Sequence, residues 1–372
     1  MNDKHLHIIS FDVPYPPNYG GIIDVFYKQK WLEKKGVKVH LHCFEYGRGK
    51  PEALNACHEV HYYHRDTTFR NILTPTPYIV ASRRSSGLVN NLLHDDYPIL
   101  CEGLHTTSIM RDKQFKDRKI FVRSHNVEHD YYRLLADSET KAWKRLFLRQ
   151  EAKKLLHYEA ILKQAQGVFT VTQKDTDYFI QHYENVLLVP SFNSFDEIAA
   201  NPGKGSHVLY HGNLSVAENV QAAEWLIRNV FSKLDFPCII AGLNPPTTLK
   251  QLVSEYGNIR LIANPNDAEM QELLKTAQAN VLVTDQPTGL KLKLLNALYN
   301  GRFCVVNANM VAGTGLADLC IVSDTPDGII NALQNIRNTE FTVEEIARRD
   351  ATMKQLYDNS ANADKLIRAI FE

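Results

Sequence analysis

The chain has 372 residues, with 42 basic and 42 acidic side chains, so its formal net charge is zero. Hydrophobic residues make up 44% and charged residues 23%, which predicts a packed core and argues against long disordered regions. No apolar run approaches the roughly 18–20 residues of a membrane-spanning helix. The start of the chain carries His5 and His7 in a short apolar stretch and is not expected to be a secretory signal. At roughly 100–200 residues per domain, the length predicts two domains.

The cysteines are scattered and include no C-x-x-C pair. They stand at Cys43, Cys57, Cys101, Cys238, Cys304 and Cys320. This pattern predicts free, mostly buried thiols in a reducing compartment, and not a zinc site or a disulfide framework. We therefore expect a cytoplasmic protein in which the sequence marks no metal ligands.

Strands and helices alternate along the first half of the chain. An apolar run predicts a strand over 5–11, helical spacing predicts a helix over 22–35 that stops at Gly36, and a second strand follows over 37–44. Further strands are predicted over 99–101, 119–122, 167–171 and 185–189, with a long basic helix over about 138–165. A β-α-β pattern of this kind indicates a parallel sheet.

Residues 190–206 are rich in proline, glycine and small polar residues, which is typical of a domain linker. The alternation then restarts. Strands are predicted over 208–211, 237–241, 258–263, 280–284, 302–306 and 320–322, and helices over 217–231, 246–256, 267–277, 290–300 and 326–337. Gly301 is predicted to be a left-handed C-terminal cap, and residues 342–371 are predicted to be helical throughout.

These elements predict two doubly wound, Rossmann-like α/β domains facing each other across a cleft. The first domain covers 1–192 and the second covers 193–354, while the helix over about 355–372 packs back on the first. Ligands of such sheets bind outside the carboxyl ends of the strands, so the cleft is the expected site.

Four stretches carry a resemblance to a known family, and their order and spacing are more specific than any one of them. They read VPYPPNYGGIIDVFYKQKWLEKKGVKVHLH, VRSHNVEHDYYRLLA, YHGNLSVAENVQAAEWLI and TGLKLKLLNALYNGRFCVV. They resemble four parts of the GT-B glycosyltransferases of the bacterial family-4 type, also called glycosyl transferase group 1. The first two resemble the P-x-x-x-G-G signature and the H-N-x-E stretch of that family. The last two resemble the opening of its donor domain and its donor-nucleotide motif. The resemblance implies a retaining transferase that uses a nucleotide-diphosphate sugar without a metal or other cofactor.

The glycines of the first motif fit contact with a phosphate. A departing diphosphate gains negative charge in the transition state, and a site without metal must stabilise it with cations, backbone N–H groups and helix N-termini. Gly20 and Gly21 let backbone amides approach phosphates closely because they lack Cβ. A simple tight turn before a helix is the alternative for this pair.

The donor motif supplies the expected diphosphate ligands. A helix that opens at Gly289 and Leu290 carries Lys291 and Lys293 in its first turn, where cations oppose the helix dipole unless an anion binds. We expect Lys293 to bind phosphate and Lys291 to lie on nearly the opposite face. A pair of solvated lysines is the alternative.

The motif also departs from the family. Thr288 and Asn296 stand where the family has two glutamates, and Asn296, which shares a helix face with the phosphate-binding lysine, is expected to contact the nucleotide. After the first donor-domain strand, Asn213 and Glu218, next to Asn219, stand in the region where the family has an arginine and a lysine. Gly212, which precedes Asn213, is a further donor-binding candidate. These departures leave the donor base and sugar open. They are also compatible with two other functions: a non-catalytic sugar-nucleotide-binding subunit, or an epimerase or hydrolase of sugar nucleotides.

On the amino-terminal side, four residues are candidates at strand ends. His125 matches the family histidine that contacts the donor sugar, and Glu128 is expected to orient the acceptor or His125. Glu102 and His105 follow another strand and are expected to line the acceptor side. The resemblance implies a carbohydrate acceptor, with a lipid-linked glycan among the candidates, and no nucleic-acid partner.

The basic helix has two open interpretations. It carries seven Lys or Arg residues together with Trp143, Leu146, Phe147 and Leu148. Contact with anionic lipid headgroups at the inner face of the membrane is one interpretation, and it suits a lipid-linked acceptor. A solvated helix face packed on its own sheet is the other.

Overall fold

The computed structural model describes residues 3–286 and 289–372, which divide by their contacts into two units. The first unit contains residues 3–194, 289–290 and 357–372, and the second contains 195–286 and 291–356. The boundary between Ser194 and Phe195 falls inside the segment 190–206.

The first unit is built on a seven-stranded parallel sheet. Its strands are β1 (Lys4–Ser10), β2 (Val37–Glu45), β3 (Glu59–His64), β4 (Ile99–Glu102), β5 (Ile120–Ser124), β6 (Gly167–Thr170) and β7 (Val186–Leu188). The spatial order is β3-β2-β1-β4-β5-β6-β7, so strands are added first on one side of β1 and then on the other, as in a doubly wound sheet. The sequence prediction located six of these strands within a few residues and missed β3, whose histidines and tyrosines interrupt an apolar run.

Helices connect these strands. They are α1 (Gly20–Lys34), α2 (Tyr78–Ala81), α3 (Ser86–Leu92), α4 (Glu128–Ser138), α5 (Ala142–Tyr158) and α6 (Gln173–Phe179). The long helix predicted over about 138–165 corresponds to α5, which begins four residues later, whereas α4 was not predicted. Glu139 is extended and ends α4, and the Arg145 guanidinium donates to its backbone carbonyl oxygen, which holds the turn before α5. A 3₁₀ segment, Glu159–Gln164, follows α5.

The second unit has a six-stranded parallel sheet in the order β10-β9-β8-β11-β12-β13. Its strands are β8 (His207–His211), β9 (Cys238–Gly242), β10 (Ile259–Ala263), β11 (Ala277–Leu282), β12 (Phe303–Val306) and β13 (Ile321–Val322). Its helices are α7 (Ala217–Asn229), α8 (Thr247–Ser254), α9 (Asp267–Thr276), α10 (Leu292–Asn300), α11 (Ala308–Val311), α12 (Pro326–Ile336) and α13 (Val343–Tyr357). Two doubly wound α/β units are therefore confirmed.

The carboxyl-terminal helix, α14 (Asn359–Phe371), belongs to the first unit. Its apolar side chains Ala363, Leu366 and Ile370 pack in the same cluster as Leu6 of β1. The prediction of an unbroken helix over 342–371 is wrong, because Asp358 is extended and its carboxylate accepts from the backbone N–H of Ala361 as an N-cap.

Two predicted helix-ending glycines behave differently. Gly36 follows α1 with φ +83°, in the left-handed conformation that ends many helices. Gly301 has φ −100° and ψ 172°, so the prediction of a left-handed cap there is wrong. A Cβ at Gly301 would collide with the Asn280 amide and would lie 2.9 Å from the Ala297 carbonyl oxygen, so close packing is what requires glycine.

All six cysteines are free and five are buried, which confirms the prediction for the thiols. Among the described residues, no helix combines the length and the apolarity that crossing a bilayer requires.

Candidate active site

A fully buried network of charged groups lies at the carboxyl ends of β4 and β5. Asp24 of α1 accepts from the Arg123 guanidinium, with one N–O distance of 2.8 Å, and from Lys28 Nζ at 2.8 Å. Lys28 Nζ also lies 2.7 Å from Glu102 Oε1. Asp24, Lys28, Glu102 and Arg123 are all 0% exposed. Because two carboxylates meet two cations, the formal charges of the four groups balance.

Local sequence explains how these charges come together. Asp24 and Lys28 are four residues apart and so share one face of α1, which is turned toward the sheet. Burial alone would raise the pKa of Asp24, but Arg123 and Lys28 hold that pKa well below its usual range. The network anchors the chain after β7 as well, since Asp24 Oδ1 accepts from the backbone N–H of Phe192 at 2.8 Å.

His125 extends this network toward solvent. Its Nε2 lies 3.1 Å from Glu102 Oε2, and its Nδ1 lies 3.9 Å from Asp24 Oδ2. The His125 side chain is 13% exposed, whereas both carboxylates are fully buried. The contact with Glu102 favours the tautomer in which Nε2 carries a proton, so the network fixes both the orientation of the ring and its hydrogen bonding.

This arrangement changes the expected role of Glu102. A fully buried carboxylate held by Lys28 and His125 cannot line an acceptor surface. The burial of Glu102 does not fit the expectation that it contacts the acceptor, and its carboxylate faces His125 instead.

His105 lies in the 3₁₀ segment that follows β4, with its ring centroid 5.1 Å from that of Phe11. Its buried Nδ1 has no hydrogen-bond partner among the described residues, and burial holds the pKa of its imidazole well below the usual value. Gly103 has φ +66°, and a Cβ there would lie 2.6 Å from His105 Nδ1. The His105 ring therefore occupies space that a side chain at position 103 would fill.

Glu128 is the first residue of α4 and is buried. Burial, together with the nearby carboxylate of Asp175, raises the pKa of Glu128 to about 8. A carboxyl group with such a pKa is largely protonated at neutral pH and can donate a hydrogen bond. Glu128 also forms a side-chain hydrogen bond with Asn126, which stands two residues before it in the H-N-x-E stretch.

The two glycines of the first motif start α1. Tyr19 is the N-cap, and Gly20 and Gly21 are the first two helical residues. A Cβ at Gly20 would meet nothing within 4 Å, whereas one at Gly21 would lie 2.7 Å from Phe11 Cζ. The first turn of α1 contains no acidic side chain, so its free N–H groups can bind an anion.

The second unit has its own polar cluster at the carboxyl ends of β8 and β11. Lys293, in the first turn of α10, donates to Asn219 Oδ1 at 3.1 Å and lies 5.5 Å from the ring centroid of Tyr210. Glu218, at the start of α7, accepts from the Thr284 hydroxyl. Burial lowers the pKa of Lys293 to about 8, against the opposing effect of Glu218, and the charge of Lys291 lowers it further.

His211 lies close enough to Lys293 to be affected by its charge. Within the part of the chain that the structure describes, the buried Nε2 of His211 has no hydrogen-bond partner. Burial, reinforced by the charge of Lys293, lowers the pKa of His211 to about 3, so the imidazole is neutral at physiological pH. An anion that bound beside Lys293 would relieve the desolvation of the ammonium group.

The helix of the donor motif begins later than the sequence predicts. α10 starts at Leu292, with Lys291 as its N-cap, so Leu290 and Gly289 precede it. The prediction that Lys291 lies in the first turn is therefore wrong, and only Lys293 of the pair is helical. Asn296 lies one turn further along α10, where its Oδ1 accepts from Asn300 Nδ2 at 2.9 Å.

Gly289 groups by its contacts with the first unit and has φ +64°. A Cβ at this position would collide with Asn126 Oδ1 and would lie 3.1 Å from the backbone oxygen of His125. Glycine is therefore required both for the left-handed conformation and for this close approach. Thr288, the other candidate in this segment, lies outside the described residues.

Gly212 and Asn213 follow β8. The Gly212 N–H donates to the carbonyl oxygen of Ala241 at 3.1 Å. Asn213 Oδ1 accepts from the backbone N–H of Ser215 at 3.0 Å, which forms the turn into α7. The sequence indicated both of these residues and Glu218, but not Thr284 and His211, which belong to no local motif.

Comparisons with known proteins agree with this architecture. Residues 205–339 match the family described as "Glycosyl transferases group 1". A protein described as "Uncharacterized 44.6 kDa protein in cps region" of Klebsiella pneumoniae is 26% identical over 332 residues, which cover 83% of this chain and 84% of that protein.

Solved structures resemble the chain over nearly its whole length. Sucrose-phosphate synthase from Thermosynechococcus elongatus has a TM-score of 0.70 at 14% identity, with 98% of each chain covered. WaaG, described as a glycosyltransferase involved in lipopolysaccharide biosynthesis, has a TM-score of 0.65 at 14% identity, covering 98% of this chain and 99% of that one. A mutant of S. aureus TarM in complex with fondaparinux, alpha-GlcNAc-glycerol and UDP has a TM-score of 0.65 at 11% identity, covering 99% and 100%. The chain thus has the GT-B fold of these structures, and residues 205–339 of its second unit match the glycosyl transferase group 1 family.

Proposed function

We propose that the protein is a retaining glycosyltransferase that moves a sugar from a nucleotide-diphosphate donor to a carbohydrate acceptor without a metal. The observation that carries this proposal is Lys293, an ammonium group in the first turn of α10 whose pKa is lowered to about 8 by burial. It lies at the strand ends where doubly wound sheets bind ligands. It also lies within the segment that matches the glycosyl transferase group 1 family.

The chemistry assigns roles to the described residues. When the bond to the diphosphate breaks, negative charge grows on the departing oxygen, and Lys293 together with free N–H groups at helix starts stabilises it. The acceptor hydroxyl gives its proton to that departing oxygen and bonds to the anomeric carbon on the same face, so the configuration is retained and no protein nucleophile is needed. We assign to His125, oriented by Glu102, the contact with the donor sugar near the reacting carbon.

The acceptor we propose is a surface glycan, carried on a lipid. Support comes from the relative in a cps region and from the similarity to WaaG. The outer side of α5 adds a physical argument, because Trp143 is 68% exposed and Leu146 is 60% exposed beside basic side chains. An amphipathic surface of this kind suits an anionic lipid headgroup region.

A second candidate is a sugar-nucleotide-binding subunit without activity. Asn296 favours it, because an uncharged amide that accepts from Asn300 stands where the resemblance implies a carboxylate. A protein with an amide in place of this carboxylate would still bind the nucleotide, whereas turnover depends on how the sugar is held.

Incubation with a panel of sugar nucleotides, with and without glycan acceptors, tests the proposal. Transfer to an acceptor is the expected result. Conversion of the donor alone would support the epimerase or hydrolase, and binding without turnover would support the non-catalytic subunit. Comparing uridine, guanosine and thymidine diphosphates by thermal shift identifies the base with which to begin.

A further inference from the structure

Three histidines meet near the amino ends of β1, β2 and β3, at the edge of the first sheet opposite the network around His125. His5 lies on β1, His40 on β2, and His58 directly precedes β3. One ring nitrogen from each lies within 4.8 Å of the other two. His40 is buried, His5 is half-buried and His58 is exposed, so solvent reaches the group from one side.

The hydrogen bonds around these rings direct the lone pair of His40 Nε2 toward the other two histidines. His5 Nδ1 lies 2.8 Å from His40 Nε2, and His40 Nδ1 lies 3.1 Å from Glu59 Oε2. Since a carboxylate only accepts, Glu59 fixes the proton of His40 on Nδ1, and Nε2 then presents its lone pair to the group. A carboxylate on the distal nitrogen is the usual support of a metal-binding histidine.

The rings are also placed around a common space. The His58 ring stands edge-on to both others, with centroids 5.5 Å from His5 and 5.0 Å from His40. The His5 ring stacks on Tyr97 at 4.3 Å, which limits its rotation. Two of the three rings are therefore held in place before any ligand arrives.

A second group with metal-ligand geometry serves as a contrast. Asp24, Glu102 and His125 also have ligand atoms close together. There, Lys28 and Arg123 already contact the carboxylates and balance their charges, so a metal ion would have to displace a buried cation. In the histidine group the facing atoms are imidazole nitrogens, and a metal ion would displace the proton of the hydrogen bond between His5 Nδ1 and His40 Nε2 instead of a buried cation.

We propose that His5, His40 and His58 form a binding site for a divalent first-row transition metal of the zinc class, with water in the fourth position. Imidazole nitrogens suit Zn²⁺, at about 2.0–2.1 Å from the metal. Tetrahedral ligands at that distance lie about 3.4 Å apart, so the 2.8 Å contact between His5 and His40 opens by roughly half an ångström. The bound metal ties the segment before β3 to β1 and β2. This site is independent of the proposed transferase reaction.

Titration of the full-length chain, made without a polyhistidine tag and stripped with chelator, tests the site. Calorimetry with Zn²⁺ at pH 7.5 should give one ion per chain and a higher Tm, and Co²⁺ should give visible absorption bands of tetrahedral type. His58→Ala should weaken binding at least about tenfold, because an exposed ligand is lost with little effect on folding. Glu59→Gln should weaken it by roughly 10–100-fold through loss of the supporting carboxylate.

His157→Ala is the matched control, since His157 is an exposed histidine on α5 outside the group. It should bind Zn²⁺ as the unmodified chain does. Absence of saturable binding, or equal affinity in His58→Ala and His157→Ala, would overturn the proposal, the second result by placing the metal on other side chains. Circular dichroism of each variant confirms that the affinities compare folded proteins.

Discussion

Lys28 Nζ lies 2.7 Å from Glu102 Oε1, and neither side chain is exposed to solvent. The same ammonium group lies 2.8 Å from Asp24, so one lysine of α1 links two buried carboxylates, and one of these orients His125. The candidate catalytic histidine is thereby tied to the core of its unit.

Removing Lys28 should destabilise the chain strongly. Lys28→Met leaves Asp24 and Glu102 buried with one cation fewer, and breaking a buried ion pair from one side typically costs about 3–5 kcal/mol. Lys35→Met is the control, because Lys35 pairs with Asp364 at the surface, where ion pairs contribute about 0–1 kcal/mol. Urea unfolding of both variants checks this; equal losses of stability would mean that the buried network contributes no more than a surface pair.

His125→Ala should lower kcat by roughly 10²–10⁴-fold while leaving the affinity for nucleoside diphosphate nearly intact, because the histidine acts near the reacting carbon. Glu102→Gln should also lower kcat with unchanged nucleotide affinity, since it loosens the ring. Because Glu102 acts through His125, the double variant should be no slower than His125→Ala alone. Additive losses would show that Glu102 has a separate role, and an unchanged kcat in His125→Ala would remove this histidine from the site.

Lys293→Ala should weaken binding of the nucleoside diphosphate by about ten- to a hundredfold, since a charge-assisted contact contributes roughly 1.5–3 kcal/mol. Lys291→Ala should have a much smaller effect, because Lys291 lies outside α10. Calorimetric titration compares the two, and equal losses would contradict the assignment of Lys293.

Binding should also be linked to protonation. Lys293 has a pKa of about 8 in the free protein, and a bound diphosphate would raise that pKa. At pH 8 about half of the lysine is deprotonated, so binding takes up about half a proton, and affinity falls as the pH rises further. Titrations at pH 8 in buffers of different ionisation enthalpy measure this uptake, which should persist in Lys291→Ala and vanish in Lys293→Ala.

The chain should bind vesicles that contain anionic lipid and not neutral ones. The exposed Trp143 and Leu146 would insert between headgroups while the basic side chains of α5 supply the attraction. Trp143→Ala should reduce the bound fraction in co-sedimentation. Leu187→Ala is the control, because Leu187 of β7 is a partly exposed apolar residue elsewhere on the same unit. An equal bound fraction in Trp143→Ala and the unmodified chain would leave α5 as a solvated helix.

Hydrophobic periodicity was sufficient to predict the two sheets, because both are parallel and their central strands are nearly continuous apolar runs. It failed at β3, where half-buried His61 stacks on His42 and the hydroxyl of buried Tyr63 lies 2.7 Å from His42 Nδ1. It also failed at Asp358, since a single extended residue between two helices leaves the apolar pattern almost unbroken.

The site was only partly predictable for a related reason. His125 and Lys293 follow strands or open helices, so local motifs indicate them. Asp24 and Lys28 carry a usable signal, two charges four residues apart on an apolar helix face. The partners of these residues come from distant segments, as Glu102 does for Lys28, and the histidine group joins positions 5, 40 and 58, which only the fold brings together.

Release of nucleoside diphosphate, followed with and without the acceptor, tests the central claim most directly. The account predicts that release requires the acceptor, equals the sugar transferred mole for mole, gives a product that keeps the donor's anomeric configuration by NMR, and continues in excess EDTA. The chelator arm is repeated with His58→Ala, so that loss of a stabilising metal at the histidine group is not mistaken for loss of a catalytic one. Release that is independent of the acceptor, an inverted product, or activity that EDTA abolishes in both proteins and magnesium or manganese restores would contradict the account.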